Sequence, residues 1–243
     1  MQNFNSKIGH VITKLKRPVN PVKAYNLWAE NYESEEDNLI FRLEKQILEK
    51  LMNNVELKEK IILDYGCGTG RNWEKYFSFE PEKIIGCDVS GEMLNQLKNK
   101  YPQADTYIIK ENKFPPVQTG SADFIFSTLV IAHIKNIKKL FGAWNSYLKS
   151  GGVIIISDLH PELLREGGKR TFMHEDKNIE IKNYVHSIED IIRVCTDLNL
   201  QVEEILEDFI TEDKQDFYIK KDALHIFEKF KNMPLIYGMR IHK

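Results

Sequence analysis

Apolar residues recur at two different spacings along the chain, and the change between them marks how the chain is organised. Over residues 22–52 they recur every three or four positions with charged residues between them, which predicts helices. Further along, short runs rich in isoleucine and valine alternate with stretches of helical spacing. The runs predict strands at residues 61–65, 84–88, 106–109, 124–127 and 153–158, and the stretches between them predict helices at residues 72–77, 92–101 and 137–148.

This alternation of strands and helices predicts an α/β fold. The predicted strands are apolar at consecutive positions, as is typical of strands buried on both faces of a sheet. Strands that alternate with helices run parallel and are joined by right-handed crossovers. We therefore expect a Rossmann-like, doubly wound sheet that binds its ligand at the carboxyl ends of the strands, where the strand order reverses.

The residues after the fifth predicted strand follow a less regular pattern. Residues 159–185 contain no clean helix and fit two short strands, at 170–173 and 179–184, with a turn at 176–178. Beyond them the pattern predicts a helix at 188–198, a strand at 201–210, a helix at 222–231 and a final strand at 235–242.

We find no internal repeat, low-complexity tract or flexible linker, and so predict a single domain over residues 1–243. Its predicted parts are a helical lid at 1–54, a core at 55–158, a cap at 159–186 and the C-terminal part of the sheet at 187–243.

The charge of the chain argues against nucleic acid as the first choice of partner. The 34 Lys and Arg residues are nearly balanced by 36 Asp and Glu residues, which gives a net charge of -2. A locally basic face could form where Lys135, Lys138, Lys139 and Lys149 fall close together, but such runs are typical of the solvated surface of a helix.

The cysteines and the apolar runs indicate in which cellular compartment the protein is expected. The three cysteines have no spacing typical of disulfides or of a zinc site, and we predict no metal. No run of 18 apolar residues occurs, and the N-terminal residues lack the pattern of a secretory signal. We therefore expect a cytoplasmic protein with no membrane segment.

A glycine-rich turn follows the first predicted strand, in the sequence ILDYGCGTG at residues 62–70. Gly66, Gly68 and Gly70 permit positive φ angles and let a ligand approach the backbone closely. Dinucleotide sites use the pattern G-x-G-x-x-G, but the residue three positions after Gly68 is Arg71. The spacing therefore argues against a nicotinamide or flavin dinucleotide and favours a flat nucleoside.

An acidic residue ends the second predicted strand. Asp88 lies 20 residues after Gly68, and a carboxylate at this place can accept two hydrogen bonds from a ribose diol, whereas it would repel a ribose phosphate. Asp64, at the end of the first strand, is free to receive a cationic part of the ligand directly or through water. Together they indicate a nucleoside with no phosphate on its sugar.

The ordered set of these motifs resembles the class I S-adenosylmethionine-dependent methyltransferases, particularly the small-molecule group that includes the ubiquinone-type enzymes. The resemblance rests on five segments, namely AYNLWAENYESEEDN at 24–38, ILDYGCGTG at 62–70, IIGCDVSGEML at 84–94, GSADFIFSTLVIAHI at 120–134 and LKSGGVIIISD at 148–158. It implies a mostly parallel seven-stranded sheet whose last strand is antiparallel.

The resemblance also implies S-adenosylmethionine as the cofactor and a set of residues that bind it. Tyr25 and Tyr32 would belong to a lid over the cofactor. The other predicted contacts are Asp64, Gly66 and Gly68 at the methionine end, Asp88 at the ribose, Val89 and Met93 at the adenine face, and Glu111 or Asn112 near the adenine amino group. Cys67 and Thr128 are further predicted contacts of the cofactor.

Two histidines are candidates for a base that takes a proton from the acceptor. His160 follows the fifth strand, and Pro161 interrupts a normal helical continuation, so its imidazole could face the site. His133 follows the fourth strand, where a structural role near the methionine end is the alternative.

The sequence thus predicts methyl transfer to the oxygen, nitrogen or carbon of a small-molecule acceptor, with secondary metabolism as one setting. Methylation of tRNA or protein and a non-catalytic cofactor-binding subunit stay open as alternatives. A homodimer also stays open, because the N-terminal helices would serve a dimer as readily as a lid.

Overall fold

The computed structural model describes residues 17–34, 38–110 and 115–243. The helices are α1 Pro21–Trp28, α2 Leu39–Leu51, α3 Trp73–Phe77, α4 Gly91–Lys100, α5 Ile137–Tyr147, α6 Pro161–Arg165, α7 Ile188–Asp197, α8 Gln215–Lys220 and α9 Leu224–Phe230. The strands are β1 Ile61–Tyr65, β2 Lys83–Asp88, β3 Asp105–Ile108, β4 Ala122–Thr128, β5 Leu148–Leu159, β6 Thr171–His174, β7 Lys177–Glu180, β8 Gln201–Phe209 and β9 Pro234–His242. Single turns of 3-10 helix lie at Ala29–Asn31, Ile131–His133 and Glu212–Lys214.

Seven of the strands form one sheet, in the order β3-β2-β1-β4-β5-β9-β8. The pairs among β1 to β5 are parallel, whereas β9 is antiparallel to both β5 and β8. The strand order reverses between β1 and β4, which is where a doubly wound sheet opens a crevice for a ligand. The predicted seven-stranded sheet with an antiparallel last strand is confirmed.

Apolar cores cover both faces of the sheet because its strands are apolar at consecutive positions. Ile62 and Leu63 are neighbours in β1 and belong to different cores. One core contains Trp73 and helix α2, and the other contains Trp144 and helix α5, with both tryptophans almost fully buried. The crevice between β1 and β4 is therefore held between two rigid layers.

The segment at residues 159–186, which we call the cap, differs from the prediction in three ways. Its second strand, β7, spans Lys177–Glu180 and not residues 179–184. The cap also contains a short helix, α6, where no clean helix was predicted, and Pro161 begins this helix because a proline is accommodated at a first helical position. The turn between β6 and β7 lies at Glu175 and Asp176, and not at residues 176–178. Both residues have positive φ, as in the two-residue turns that match the twist of a hairpin.

Residues 17–34, which belong to the predicted lid at 1–54, pack against the cap. From here on, the lid means residues 17–34. The backbone of Val19 exchanges hydrogen bonds with Glu180 and Lys182 just after β7, at 2.8 and 2.9 Å. The ring of Trp28 stacks on the ring of Phe172 with 4.7 Å between centroids. Lid and cap therefore form one cover over the carboxyl ends of the strands.

Two further predictions can be compared with the described residues. Within residues 17–34, 38–110 and 115–243, no helix is long and apolar enough to cross a membrane. The same residues contain no cluster of three or more histidine, cysteine, aspartate or glutamate side chains arranged to hold a metal ion.

Helix α2 approaches β9 closely at Gly238. A Cβ atom there would collide with the side chain of Ile47 and come within 2.7 Å of Leu51. We expect Gly238→Ala to lower the free energy of unfolding by about 1–3 kcal/mol, the usual cost of overpacking a core.

Gly142→Ala is the matched control, because a Cβ atom at Gly142 in helix α5 meets nothing within 4 Å. It should raise the free energy of unfolding by about 0.5–1 kcal/mol, since alanine forms helix better than glycine does. Urea denaturation of both variants measures this, and equal effects on stability would contradict the close approach of α2.

Candidate functional site

A cavity of about 1070 Å³ opens at the carboxyl ends of β1, β2 and β4 and continues beneath the lid. Ligand sites in proteins commonly have a volume of this order. Nine of the predicted site residues line it: Tyr25, Tyr32, Gly66, Gly68, Asp88, Val89, Met93, Thr128 and His133. Of the other predicted residues, Glu111 and Asn112 lie outside the described part of the chain.

The glycine turn forms the floor of this cavity. The N–H of Gly66 donates to the carbonyl oxygen of Cys87 at 2.7 Å, which ties the turn to the end of β2. Gly66 has φ of +80°, and a Cβ atom there would collide with Val130. Gly68 has φ of +55° and open space where a Cβ atom would stand, so a ligand can reach its backbone.

The carboxylate of Asp88 links the turn to the next helix. Its Oδ2 accepts the N–H of Gly68 at 2.9 Å, and its Oδ1 accepts the N–H of Ser90 at 2.8 Å. Burial raises the pKa of Asp88, while these two hydrogen bonds oppose the rise. Because each carboxylate oxygen has a second lone pair, Asp88 can still accept hydrogen bonds from the two hydroxyls of a ribose.

Asp64 and Cys67 are not among the residues that line the cavity. Trp73 donates its Nε1–H to Oδ2 of Asp64 at 2.7 Å. Burial, with a smaller contribution from the neighbouring Asp88 and Glu44, raises the pKa of Asp64 to about 7. The predicted contacts of Asp64 and Cys67 with the ligand stay predictions.

A fully buried carboxylate that sequence reasoning missed supports the turn from behind. Glu44 in α2 forms an ion pair with Arg71 at 2.5 Å and accepts a hydrogen bond from Ser157 at 3.2 Å. A signal for it existed, because Glu44 lies three, four and seven residues before Ile47, Leu48 and Leu51, on the apolar face of the helix. An acidic residue on such a face requires a partner in the core.

His133 lines the cavity and is bonded to the lid. Its Nε2 lies 2.8 Å from the hydroxyl of Tyr25, and its Nδ1 lies 3.1 Å from the carbonyl oxygen of Lys182. A carbonyl oxygen only accepts, so we assign the ring proton to Nδ1, and Nε2 then accepts from Tyr25. Burial and the positive charge of Arg170 lower the pKa of His133 to about 3, which keeps the ring neutral.

His160 does not line the cavity, although it was predicted to face the site as a base. Its side chain is buried, and its Nδ1 accepts the N–H of Glu162 at the start of α6. Its Nε2 lies 2.9 Å from a carboxylate oxygen of Glu207 in β8. The proline that was expected to free this imidazole instead begins a helix that the imidazole caps.

Arg170 is a second residue that sequence reasoning missed. It is 3% exposed, at the start of the cap hairpin. The central carbon of its guanidinium lies 5.8 Å from the ring centroid of Tyr25 and 6.0 Å from that of Trp28. A positive charge is thereby buried beside the part of the lid that covers the cavity.

Comparison with known proteins gives a consistent set of matches. A family model described as a methyltransferase domain matches residues 35–205. The chain is 27% identical over 155 residues to a malonyl-acyl-carrier-protein O-methyltransferase from Hamiltonella defensa. The aligned residues cover 63% of this chain and 58% of that protein. A malonyl-acyl-carrier-protein O-methyltransferase from Ilyobacter polytropus is 30% identical over 164 residues, and the aligned residues cover 64% of this chain and 61% of that protein. The chain thus spans about three fifths of the length of these relatives.

Solved structures share the fold at low sequence identity. An S-adenosylmethionine-dependent methyltransferase from Mesorhizobium loti superposes with a TM-score of 0.63 at 15% identity, which covers 80% of this chain and 96% of that one.

The buried Asp64 generates a prediction on pH and stability. Its pKa of about 7 in the folded chain exceeds the value of about 3.9 in an unfolded chain. Between these values the folded form holds a proton that the unfolded form lacks, so stability falls as pH rises, by at most about 1.4 kcal/mol per pH unit. Above pH 7 the contribution becomes constant.

Asp64→Asn removes this titration but keeps an acceptor for Trp73. Urea denaturation from pH 5 to 8 should therefore show a steeper loss of stability in the parent chain than in the variant. Because the other titrating groups are shared, the difference between the two curves reports Asp64. Parallel curves would contradict a carboxyl group that is protonated in the folded state.

Proposed function

The chain belongs to the methyltransferase domain family, and we propose that it transfers the methyl group of S-adenosylmethionine to an oxygen atom of a small-molecule acceptor. The observation that carries the proposal is a single cavity that begins at the glycine turn and Asp88 and continues to Tyr25 and His133 beneath the lid. It offers one region suited to a nucleoside and an adjoining region suited to an acceptor.

The residues around the turn fit S-adenosylmethionine, which supplies a methyl group activated by a sulfonium. Asp88 would accept the ribose hydroxyls, and the open backbone at Gly68 would lie against the nucleoside. Val89 and Met93, at the start of α4, would face the adenine. No phosphate is accommodated, because the carboxylate of Asp88 would repel it.

The roof of the cavity supports a small acceptor. The lid residues Tyr25 and Tyr32 line the cavity, and Trp28 and Val19 join the lid to the cap. Such a cover excludes water and aligns the two reactants, and alignment supplies up to about 7–11 kcal/mol in the best model reactions. An RNA or protein chain would need this cover to be displaced.

The state of His133 supports oxygen as the methylated atom. A base with a pKa of about 3 removes protons poorly from an alcohol or an ammonium group. An acceptor that is already an anion requires no such base. The O-methyltransferase names of the relatives from Hamiltonella defensa and Ilyobacter polytropus support the same choice.

Transfer of labelled methyl groups tests this proposal. Purified protein and S-adenosylmethionine labelled on the methyl carbon are incubated with metabolites, RNA and protein prepared separately from a host extract. We expect label in the small metabolites alone. Label only in RNA or protein would contradict the small-molecule acceptor, and label in no fraction would contradict methyl transfer.

The hydrogen bond between Tyr25 and His133 holds the lid to the end of β4, so its loss should weaken closure. We expect Tyr25→Phe to lower kcat/KM by up to about tenfold, because one hydrogen bond contributes about 0.5–1.5 kcal/mol. His160→Gln should leave kcat/KM within about twofold and lower the melting temperature, because it loses a buried helix cap.

Tyr107→Phe is the matched control, since Tyr107 in β3 loses the same hydroxyl outside the cavity wall. Initial rates of methyl transfer with varied cofactor measure all three variants. A Tyr25→Phe rate equal to that of Tyr107→Phe would contradict the role of the hydroxyl. A large loss of turnover in His160→Gln at unchanged stability would restore His160 as a base.

A further inference from the structure

The guanidinium of Arg170 is buried without a partner that matches its charge. Its Nε and Nη1 atoms have no hydrogen-bond acceptor, and it forms no ion pair with a carboxylate in the described part of the chain. Other buried cations do have such partners: Arg71 pairs with Glu44 at 2.5 Å, and Lys214 pairs with Asp208 at 2.9 Å. Arg170 is the exception among these three.

This arrangement is costly for the folded chain. Arginine stays protonated in proteins, so burial cannot be relieved by loss of the proton. The rings of Tyr25 and Trp28, at 5.8 and 6.0 Å from its central carbon, attract the cation, but they leave Nε and Nη1 without a hydrogen-bond acceptor. Buried donors that lack an acceptor in the ligand-free chain fit a group that a ligand completes.

Asp158 is the nearby acid that could have served as the partner, but its oxygens accept backbone N–H groups and form no hydrogen bond with Nε or Nη1 of Arg170. Its Oδ2 accepts the N–H of Ala132, and its Oδ1 accepts the N–H of Leu159, both at 2.7 Å. Asp158 thus fixes the end of β5 against the turn that carries His133. Asp158 attracts the positive charge of Arg170 electrostatically, but it accepts no hydrogen bond from Nε or Nη1 of the guanidinium.

Arg170 is not among the residues that line the cavity, but it packs against Tyr25, which does line it. The carbonyl oxygen of Arg170 accepts the N–H of Ile181 at 3.0 Å, which fixes it at the base of the cap hairpin. Its side chain extends to Tyr25, and its charge acts on Tyr25, Tyr32 and His133, which all line the cavity. A ligand placed beneath Tyr25 would therefore meet a positive field.

We infer that Arg170 binds the carboxylate of the acceptor, so that the substrate is an organic acid and the product is its methyl ester. The inference rests on the proposed methyl transfer. A planar carboxylate matches the planar donors of a guanidinium and can accept two parallel hydrogen bonds from them. In the reaction, a carboxylate oxygen forms the bond to the methyl carbon as the carbon–sulfur bond breaks, and the electron pair of that bond stays on sulfur.

The reaction needs no proton acceptor. Carboxylic acids are ionised at neutral pH, so the attacking oxygen already carries its electron pair. Both ring nitrogens of His133 are engaged, one by Tyr25 and one by the carbonyl oxygen of Lys182. An ionised acid is thus the acceptor that this cavity can use as it is built.

The chemical stability of the product tests the inference. Labelled methyl groups are transferred to the organic-acid fraction of a host extract, and the products are treated with mild alkali, which releases methanol from methyl esters but not from ethers, amines or C-methyl groups. We expect the label to become volatile. Label that is transferred but stays alkali-stable would overturn the organic acid and leave the proposed methyl transfer intact, whereas no transfer at all would overturn both.

Variants of Arg170 link the acid to this residue. Arg170→Gln should lower kcat/KM for the acid fraction by about a hundredfold, and Arg170→Lys, which keeps the charge, should lose less. Binding of S-adenosylhomocysteine should stay within about threefold in both, because Arg170 does not line the nucleoside region. Equal rates in all three proteins would overturn the assignment of Arg170.

The stability of the ligand-free protein gives an independent measurement. Arg170→Met removes an unpaired buried charge and should raise the melting temperature. Lys214→Met removes a buried charge that is paired with Asp208, so it should lower the melting temperature and serves as the matched control. A fall in Arg170→Met as large as that in Lys214→Met would show a structural cation and overturn the inference.

Discussion

The carboxylate of Asp88 is the interaction on which the site depends. It accepts backbone N–H groups from Gly68 and Ser90 and so joins the first turn of the sheet to the helix that follows the second strand. Ser90 in turn caps that helix by accepting the N–H of Met93, and it donates its hydroxyl to Asn26 of the lid at 2.6 Å. One acidic side chain thus holds the floor, one wall and part of the roof of the cavity.

Features that depend on residues close together in the sequence could be predicted from the sequence. The glycine turn and Asp88 have a fixed spacing, because one helix, α3, and one strand, β2, lead from the turn to Asp88. Glu44 and Arg170 were missed because their surroundings come from distant parts of the chain, such as Ser157 for Glu44 and Tyr25 for Arg170. His160 shows the same difficulty, since its position depends on a helix start and on Glu207 in another strand.

The buried charges divide into two kinds. Glu44 and Arg71 neutralise each other behind the turn, so they rigidify the floor of the cavity. Arg170 has no such partner among the residues that the structure describes, and the fold tolerates it beside the lid. Proteins commonly accept instability at the place where a ligand is to be bound, because the same charge then contributes to affinity and specificity. The acceptor region thus differs from the nucleoside region, whose polar groups are already bonded.

The measurement that tests the central claim most directly is calorimetric titration of the purified protein with S-adenosylhomocysteine and, separately, with NAD. The account predicts that one molecule of S-adenosylhomocysteine binds each chain, that NAD does not bind, and that Asp88→Asn weakens the binding by about tenfold or more. Binding of NAD in preference to S-adenosylhomocysteine, or no binding of the sulfur nucleoside, would contradict it.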